Sequence, residues 1–190
     1  MLEKKNNIIR ILLVFFQFFV NNLFADENKP SKIEIDNLYL IEEASGLFLN
    51  GDVSVTLEET LIKALGKGLS LNFSSELEVY SLRKILPDKM VKKVTRNASL
   101  TYHGITRRYN VSLNEKTIYF ESLTQALAMC LGLKRWVRFT KEELINKKLR
   151  VRLRLDVDSL PKPLSLVAVS DPAWQLTTGW VVVSDEVRGN

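Results

Sequence analysis

Lys147 to Leu164 reads KKLRVRLRLDVDSLPKPL, and this stretch decides what kind of protein the chain makes. From Leu149 to Asp158 it alternates strictly. Leu149, Val151, Leu153, Leu155 and Val157 take one parity; Arg150, Arg152, Arg154, Asp156 and Asp158 take the other. Successive side chains of a strand point to opposite faces, so the pattern predicts one strand with an apolar inner face and a charged outer face. Ser159-Leu160-Pro161-Lys162-Pro163 then stops it, because proline cannot donate to a sheet ladder.

The rest of the chain repeats the theme. Leu69 to Leu82 carries Leu71, Phe73, Leu77 and Val79 on one parity and Glu76 and Glu78 on the other, an acidic counterpart to the arginine strand. Ile33 to Ile41 and Leu47 to Leu57 predict two more strands, with a bulge or kink at Asn50-Gly51-Asp52. Val91 to Tyr102 and Ile105 to Leu113 predict a hairpin turning at His103-Gly104, and Thr117 to Phe120 follows the Asn114-Glu115 turn. Leu166 to Val169 and Gln175 to Val183 predict the last strands. Three capping-box patterns, Thr56–Glu59, Ser122–Gln125 and Thr140–Glu143, predict short helices. Gly66 and Gly68 close the first; Leu123, Ala126, Leu127, Cys130 and Leu131 form the apolar side of the second. No βαβ alternation is present. The expected fold is α+β: a mostly antiparallel sheet, sandwich-like or strongly curved, of seven to nine strands with two or three short helices.

The 190 residues allow one α+β domain over 26–190 after a short targeting segment. With one cysteine, Cys130, no intramolecular disulfide can form, and with one histidine, His103, no histidine- or cysteine-rich metal site is expected. The formal charge of +5 is segregated. Residues 26–82 hold 4 basic and 11 acidic side chains, whereas residues 83–154 hold 18 and 5. Such segregation suits either a basic binding face or acidic and basic strands lying side by side.

Residues 1–25 predict an export signal or an N-terminal membrane anchor. Lys4, Lys5 and Arg10 precede or enter an apolar run from Ile8 to Val20, and Leu23-Phe24-Ala25 is a tolerable cleavage site. The run is short for a spanning helix, so export is the expectation, to the periplasm or the outer side of a bacterial inner membrane. If retained, the segment would hold the chain at that membrane.

Three segments carry a family resemblance: Ala64-Leu65-Gly66-Lys67-Gly68, Leu100–Tyr109 with its His103-Gly104 turn, and Arg152–Asp156 running on through Leu160-Pro161-Lys162-Pro163-Leu164 to Trp174 and Trp180. Over roughly residues 30 to 183 the chain resembles a family of exported bacterial proteins catalogued only as a domain of unknown function, often encoded near a nitrogen-regulation sensor kinase. The resemblance implies an envelope location and supplies no catalytic residues.

No catalytic constellation is legible. His103 reads as a turn histidine, Cys130 as a small buried hydrophobe, and Asp156 and Asp158 as a carboxylate pair about 6.8 Å apart on a strand end, too few for a metal site. No nucleophile elbow, phosphate loop or dinucleotide fingerprint occurs, and no cofactor is expected. Arg150, Arg152 and Arg154 form the candidate binding ladder, with Trp174 and Trp180 as aromatic neighbours. Either the ladder receives an envelope protein or an anionic envelope component, or it pairs with Glu76 and Glu78. An export signal disfavours nucleic acid. The expected function is a non-catalytic binding or accessory module of the envelope; the alternatives are an envelope hydrolase whose carboxylates converge in three dimensions, and a membrane-anchored structural or assembly factor.

Overall fold

The computed structural model describes residues 30–162, 164–184 and 187–189; residues 1–25, where an export signal or anchor is expected, lie outside them. Ten strands and four short helices occur among these residues. Strands β1 (Lys32–Glu43), β2 (Gly46–Thr56), β7 (Arg138–Phe139) and β10 (Val187–Gly189) make one sheet in the order β10-β1-β2-β7. Strands β3 (Leu71–Ser81), β4 (Lys89–His103), β5 (Arg108–Leu113), β6 (Lys116–Phe120), β8 (Lys147–Leu155) and β9 (Val181–Val182) make the other, in the order β6-β5-β4-β3-β8-β9. All pairings are antiparallel except β1 with β10. The α+β, mostly antiparallel expectation holds.

The apolar parity of the opening stretch lies inside. Leu149, Val151, Leu153 and Leu155 are buried, and so are Phe73, Leu77 and Val79 of the neighbouring β3 and Leu38, Leu40, Leu47 and Leu49 from the other sheet. One side of the two-sheet stack is stitched shut. Val183 N–H donates to Leu149 O, and Ser184 N–H to Leu38 O, each at 3.0 Å, so the end of β9 ties β8 to β1. On the other side, helix α2 (Leu123–Leu131) lies between β2 and β5 and buries Ala126, Leu127, Cys130 and Leu131. Helix α1 (Glu59–Gly66) buries Leu61 and Leu65 and ends as its glycines predict. Leu69 N–H reaches back to Ala64 O across Gly68, whose φ of +84° is readily open only to glycine.

Several local expectations are corrected. Only the Thr140 capping box forms, opening α3 (Lys141–Leu144) with reciprocal bonds of 3.3 and 2.8 Å to Glu143. At α1 the cap is Glu58, two residues later than predicted, and its amide donates to Ser31 Oγ, a partner 27 residues away that local pattern cannot show. Ser122 caps α2 without a side-chain bond. The bulge falls on β1 rather than β2, between Ile35 and Asn37. Gly51 serves instead for close approach, since a Cβ there would lie 3.0 Å from Leu133 and 3.1 Å from Leu38.

β8 stops at Leu155, and Val157–Ser159 is a 3₁₀ turn held by Ser159 Oγ on Asp156 O at 2.6 Å, so Asp156 and Asp158 do not share a strand face. Leu166–Val169 belongs to a helix, α4 (Leu164–Ser170), preceded by Pro161, whose carbonyl accepts the Ser165 amide. So short an apolar run does not separate strand from helix by period. Gln175–Val183 gives only β9 and an isolated bridge from Thr177 to Arg154, because Gly179 turns the backbone at φ +64°.

Candidate functional site

The register of the central strands builds the charged ladder. β3 lies between β8 and β4, setting Glu76 opposite Arg152 and Thr95, and Glu78 opposite Arg150 and Lys93. Both glutamates are buried, although they point to the outer face. Arg152 reaches Glu76 Oε2 at 2.6 Å, with Lys93 and Arg154 at 3.8 and 3.6 Å from the same carboxylate. Arg150 donates through Nε and Nη2 to Glu78 Oε2 at 2.9 and 2.7 Å, and Nη2 also donates to Tyr80 Oη, which donates on to Glu78. Burial alone pushes the Glu78 carboxyl up. The hydrogen bonds from Arg150 and Tyr80, with the fields of Arg150 and Lys93, outweigh it and leave the group below the usual carboxylate value.

Trp180 roofs this ladder, its ring 4.4 Å from the Arg150 guanidinium and 4.5 Å from that of Arg152. Of the residues expected to form a site, Arg150, Arg152, Arg154 and Trp180 therefore come together. Trp174 does not: it is buried beside α1 at the end of the Pro172–Trp174 3₁₀ turn. The arginines are paired with the glutamates of β3, and Arg150 and Arg152 also stack on Trp180, while about a third of each arginine side chain stays exposed.

A second cluster was not legible as a site. Arg96 of β4 shares the inward parity with Val94, Ala98 and Leu100 and enters the space beneath α2. Its Nη2 donates to Gly132 O at 2.7 Å and to Ser75 Oγ at 3.3 Å, and its guanidinium lies 5.2 Å from the Trp136 ring centroid. Its Nε is buried with no hydrogen-bond partner, and no carboxylate among the described residues pairs with it. Burial pulls its pKa down from the ordinary arginine value, and burial pushes the nearby Cys130 thiol up to about 12.

Arg96 lines an open cleft of about 650 Å³. Its walls are Val53 and Val55 of β2, Leu113 and Phe120 of the β5–β6 hairpin, and Leu127 and Met129 of α2. Beyond Leu49, β2 makes no backbone hydrogen bond to the described residues on the side away from β1, and this edge borders the cleft. Asp36 and Asp52 sit on the exposed rim, where Ser54 Oγ and Asn37 Nδ2 donate to them at 3.4 and 3.2 Å. The signal that could have found the site was a charge out of phase: Arg96 interrupts the apolar parity of β4.

A family model described as Domain of unknown function (DUF4390) matches residues 30–184. The chain belongs to that family. The match runs from Pro30, two residues before β1, to the Ser184 seam, so the DUF4390 domain contains both the ladder and the Arg96 cleft, while β10 lies beyond it. Neither the curated proteins nor the solved structures gave a match to this DUF4390 chain. Among the described residues no group of three or more His, Cys, Asp or Glu side chains could hold a metal ion, and no helix is long and apolar enough to cross a membrane.

Proposed function

We propose that this DUF4390 chain is an exported, non-catalytic binding module of the cell envelope, and that its ligand site is the cleft beneath α2 with Arg96 as anchor. One observation carries the reading: a half-buried guanidinium set in a largely apolar cleft, with its Nε buried and unpartnered and no carboxylate among the described residues to neutralise it. Withdrawing part of a charge from water without a counter-ion is unfavourable, and a fold that keeps such a group is best explained by an anion that arrives with the ligand. The apolar walls ask for a hydrophobic body behind that anion.

The hydrolase reading needs two buried carboxylates converging on a pocket. Glu76 and Glu78 are the buried pair, and they lie on the face of β3 opposite the cleft, already tied to arginines. The cleft's own acids sit on its rim. Binding is the better account.

Export rests on the basic and apolar pattern of residues 1–25. Fractionation of cells producing the full chain tests that part: recovery in the periplasmic or membrane fraction supports it, and recovery in the cytosol sinks it. The cleft is tested with 1-anilinonaphthalene-8-sulfonate, an apolar fluorophore bearing one anion. It is expected to bind saturably, one per chain, and Ala128→Trp, which fills the cleft from an exposed position on α2, is expected to abolish binding without loss of stability. Non-saturable binding, or binding indifferent to the tryptophan, would remove the cleft from consideration.

A further inference from the structure

The loop joining β3 to β4 (82–88) and the first residues of β4 read Leu82-Arg-Lys-Ile-Leu-Pro-Asp-Lys-Met-Val-Lys-Lys93, and every residue of the stretch is exposed. Ile85 is 96% and Leu86 62% exposed, with Leu82 and Met90 each about half exposed beside them. Hydrophobes this open are costly in water, and here four fall in one short stretch at the end of the hairpin. The cations between them are equally open. Arg83, Lys84 and Lys89 have no carboxylate partner among the described residues, and the only acid of the stretch, Asp88, is engaged by the Arg83 backbone amide.

The neighbouring turn extends the same chemistry. Leu82 N–H donates to Asn146 O at 3.0 Å, which fixes exposed Ile145 beside the tip, and Lys148, the second residue of β8, lies opposite Tyr80. Exposed apolar side chains and the unpaired cations Arg83, Lys84 and Lys89 thus share one end of the β3–β4 hairpin, with Lys92 paired to Glu143 at 3.9 Å behind them.

We propose that this tip docks on an anionic lipid bilayer, with Ile85 and Leu86 entering the headgroup boundary and Arg83, Lys84 and Lys89 meeting lipid phosphates. The chemistry selects this occupant. Apolar residues penetrate the interface by about 5–10 Å while flanking lysines and arginines stay at headgroup level. Nucleic acid would use the cations and leave the aliphatic side chains without a role. A second copy would bring like charges together.

The tip is also separated from the N-terminal end of β1. Ser31–Ile35 line a cavity with Gln175–Thr178, which bond to the Leu155 end of β8, whereas the tip abuts its Lys147 end. Eight residues of strand put these ends about 26 Å apart. A chain held at both ends would lie with its strands along the membrane.

The test places the reporter on the tip itself, so that insertion of residues 1–29 cannot mimic it. In the full chain, Ile85→Cys is labelled with the fluorophore NBD; Cys130, buried with its thiol pushed up to about 12, is left unlabelled. With vesicles of phosphatidylglycerol and phosphatidylcholine in a 3:7 ratio, NBD emission is expected to shift to the blue and to be quenched by lipids spin-labelled near the headgroup. Phosphatidylcholine vesicles alone are expected to give no shift. Lys84→Gln with Lys89→Gln is expected to weaken partition by roughly 25-fold, about fivefold per charge removed. Water-like emission with both vesicles would overturn the proposal and assign the tip to a protein partner. An equal shift with both would overturn its dependence on anionic lipid.

Discussion

Arg152 Nη2 lies 2.6 Å from Glu76 Oε2, and the carboxylate it holds is buried on the outer face of the sheet, with Arg154 and Lys93 also within 4 Å. One carboxylate therefore answers several cations, and the two ends of the pair are not equivalent. Glu76→Gln leaves the cations facing one another, and its expected cost is about 2–3 kcal/mol. Arg152→Met leaves Glu76 with Lys93 and Arg154, and the cost falls to about 1 kcal/mol because the arginine is partly exposed. Urea denaturation of the two variants measures the asymmetry; equal costs would mean that the pair acts alone.

The neighbouring Glu78 sets the acid limb of stability. Its carboxyl is lowered in the folded chain from an ordinary value of 4.5, so the folded state holds its proton less tightly than the unfolded state. The stabilisation is present above about pH 4.5 and is lost as pH falls through the folded value. The melting temperature is expected to drop below that pH, and Glu78→Gln, less stable at neutrality, is expected to show a flatter acid limb.

Cys130 sets an alkaline limb of opposite sense. Its thiol ionises near 9.0 when unfolded and near 12 in the folded chain, so the stability it protects is intact below pH 9 and declines as pH rises toward 12. Ellman's reagent is expected to modify the native chain only as fast as it unfolds, and Cys130→Ala is expected to flatten the alkaline limb. Rapid labelling in native buffer would contradict the buried position of the thiol.

Gly51 makes a packing prediction. A methyl group there meets Leu133, Leu38 and the Asn37 carbonyl at 3.0–3.1 Å, tighter than ordinary contact. Gly51→Ala is expected to cost roughly 1–3 kcal/mol by displacing the bulged stretch of β1. A urea midpoint unchanged from wild type would show that the bulge yields freely.

The residues that alternate strictly were the ones legible in the sequence. The Leu149–Leu155 parity, the opposing Glu76 and Glu78 and the apolar side of α2 are all governed by local period, and the structure keeps each in its expected place. Charge alternation allows Glu76 and Glu78 to lie beside the arginine strand but cannot place them there; register between strands some 70 residues apart is a property of the whole fold. β7 and β10 escaped because two or three residues carry no period. Arg96 escaped for a different reason. It looked like one more cation in a basic region, and only the parity of β4 marks it as pointing inward.

The central claim is that Arg96 waits for an anion instead of holding the fold together, and Arg96→Met separates these roles. Its binding of 1-anilinonaphthalene-8-sulfonate is to be compared with that of the uncharged N-phenyl-1-naphthylamine, alongside the melting temperature. Affinity for the anionic probe is expected to fall at least tenfold, with affinity for the neutral probe unchanged and the melting temperature equal or higher, since a desolvated charge has been removed. A parallel loss of both affinities together with a lower melting temperature would contradict the account and make Arg96 a structural strut between Gly132 and Ser75.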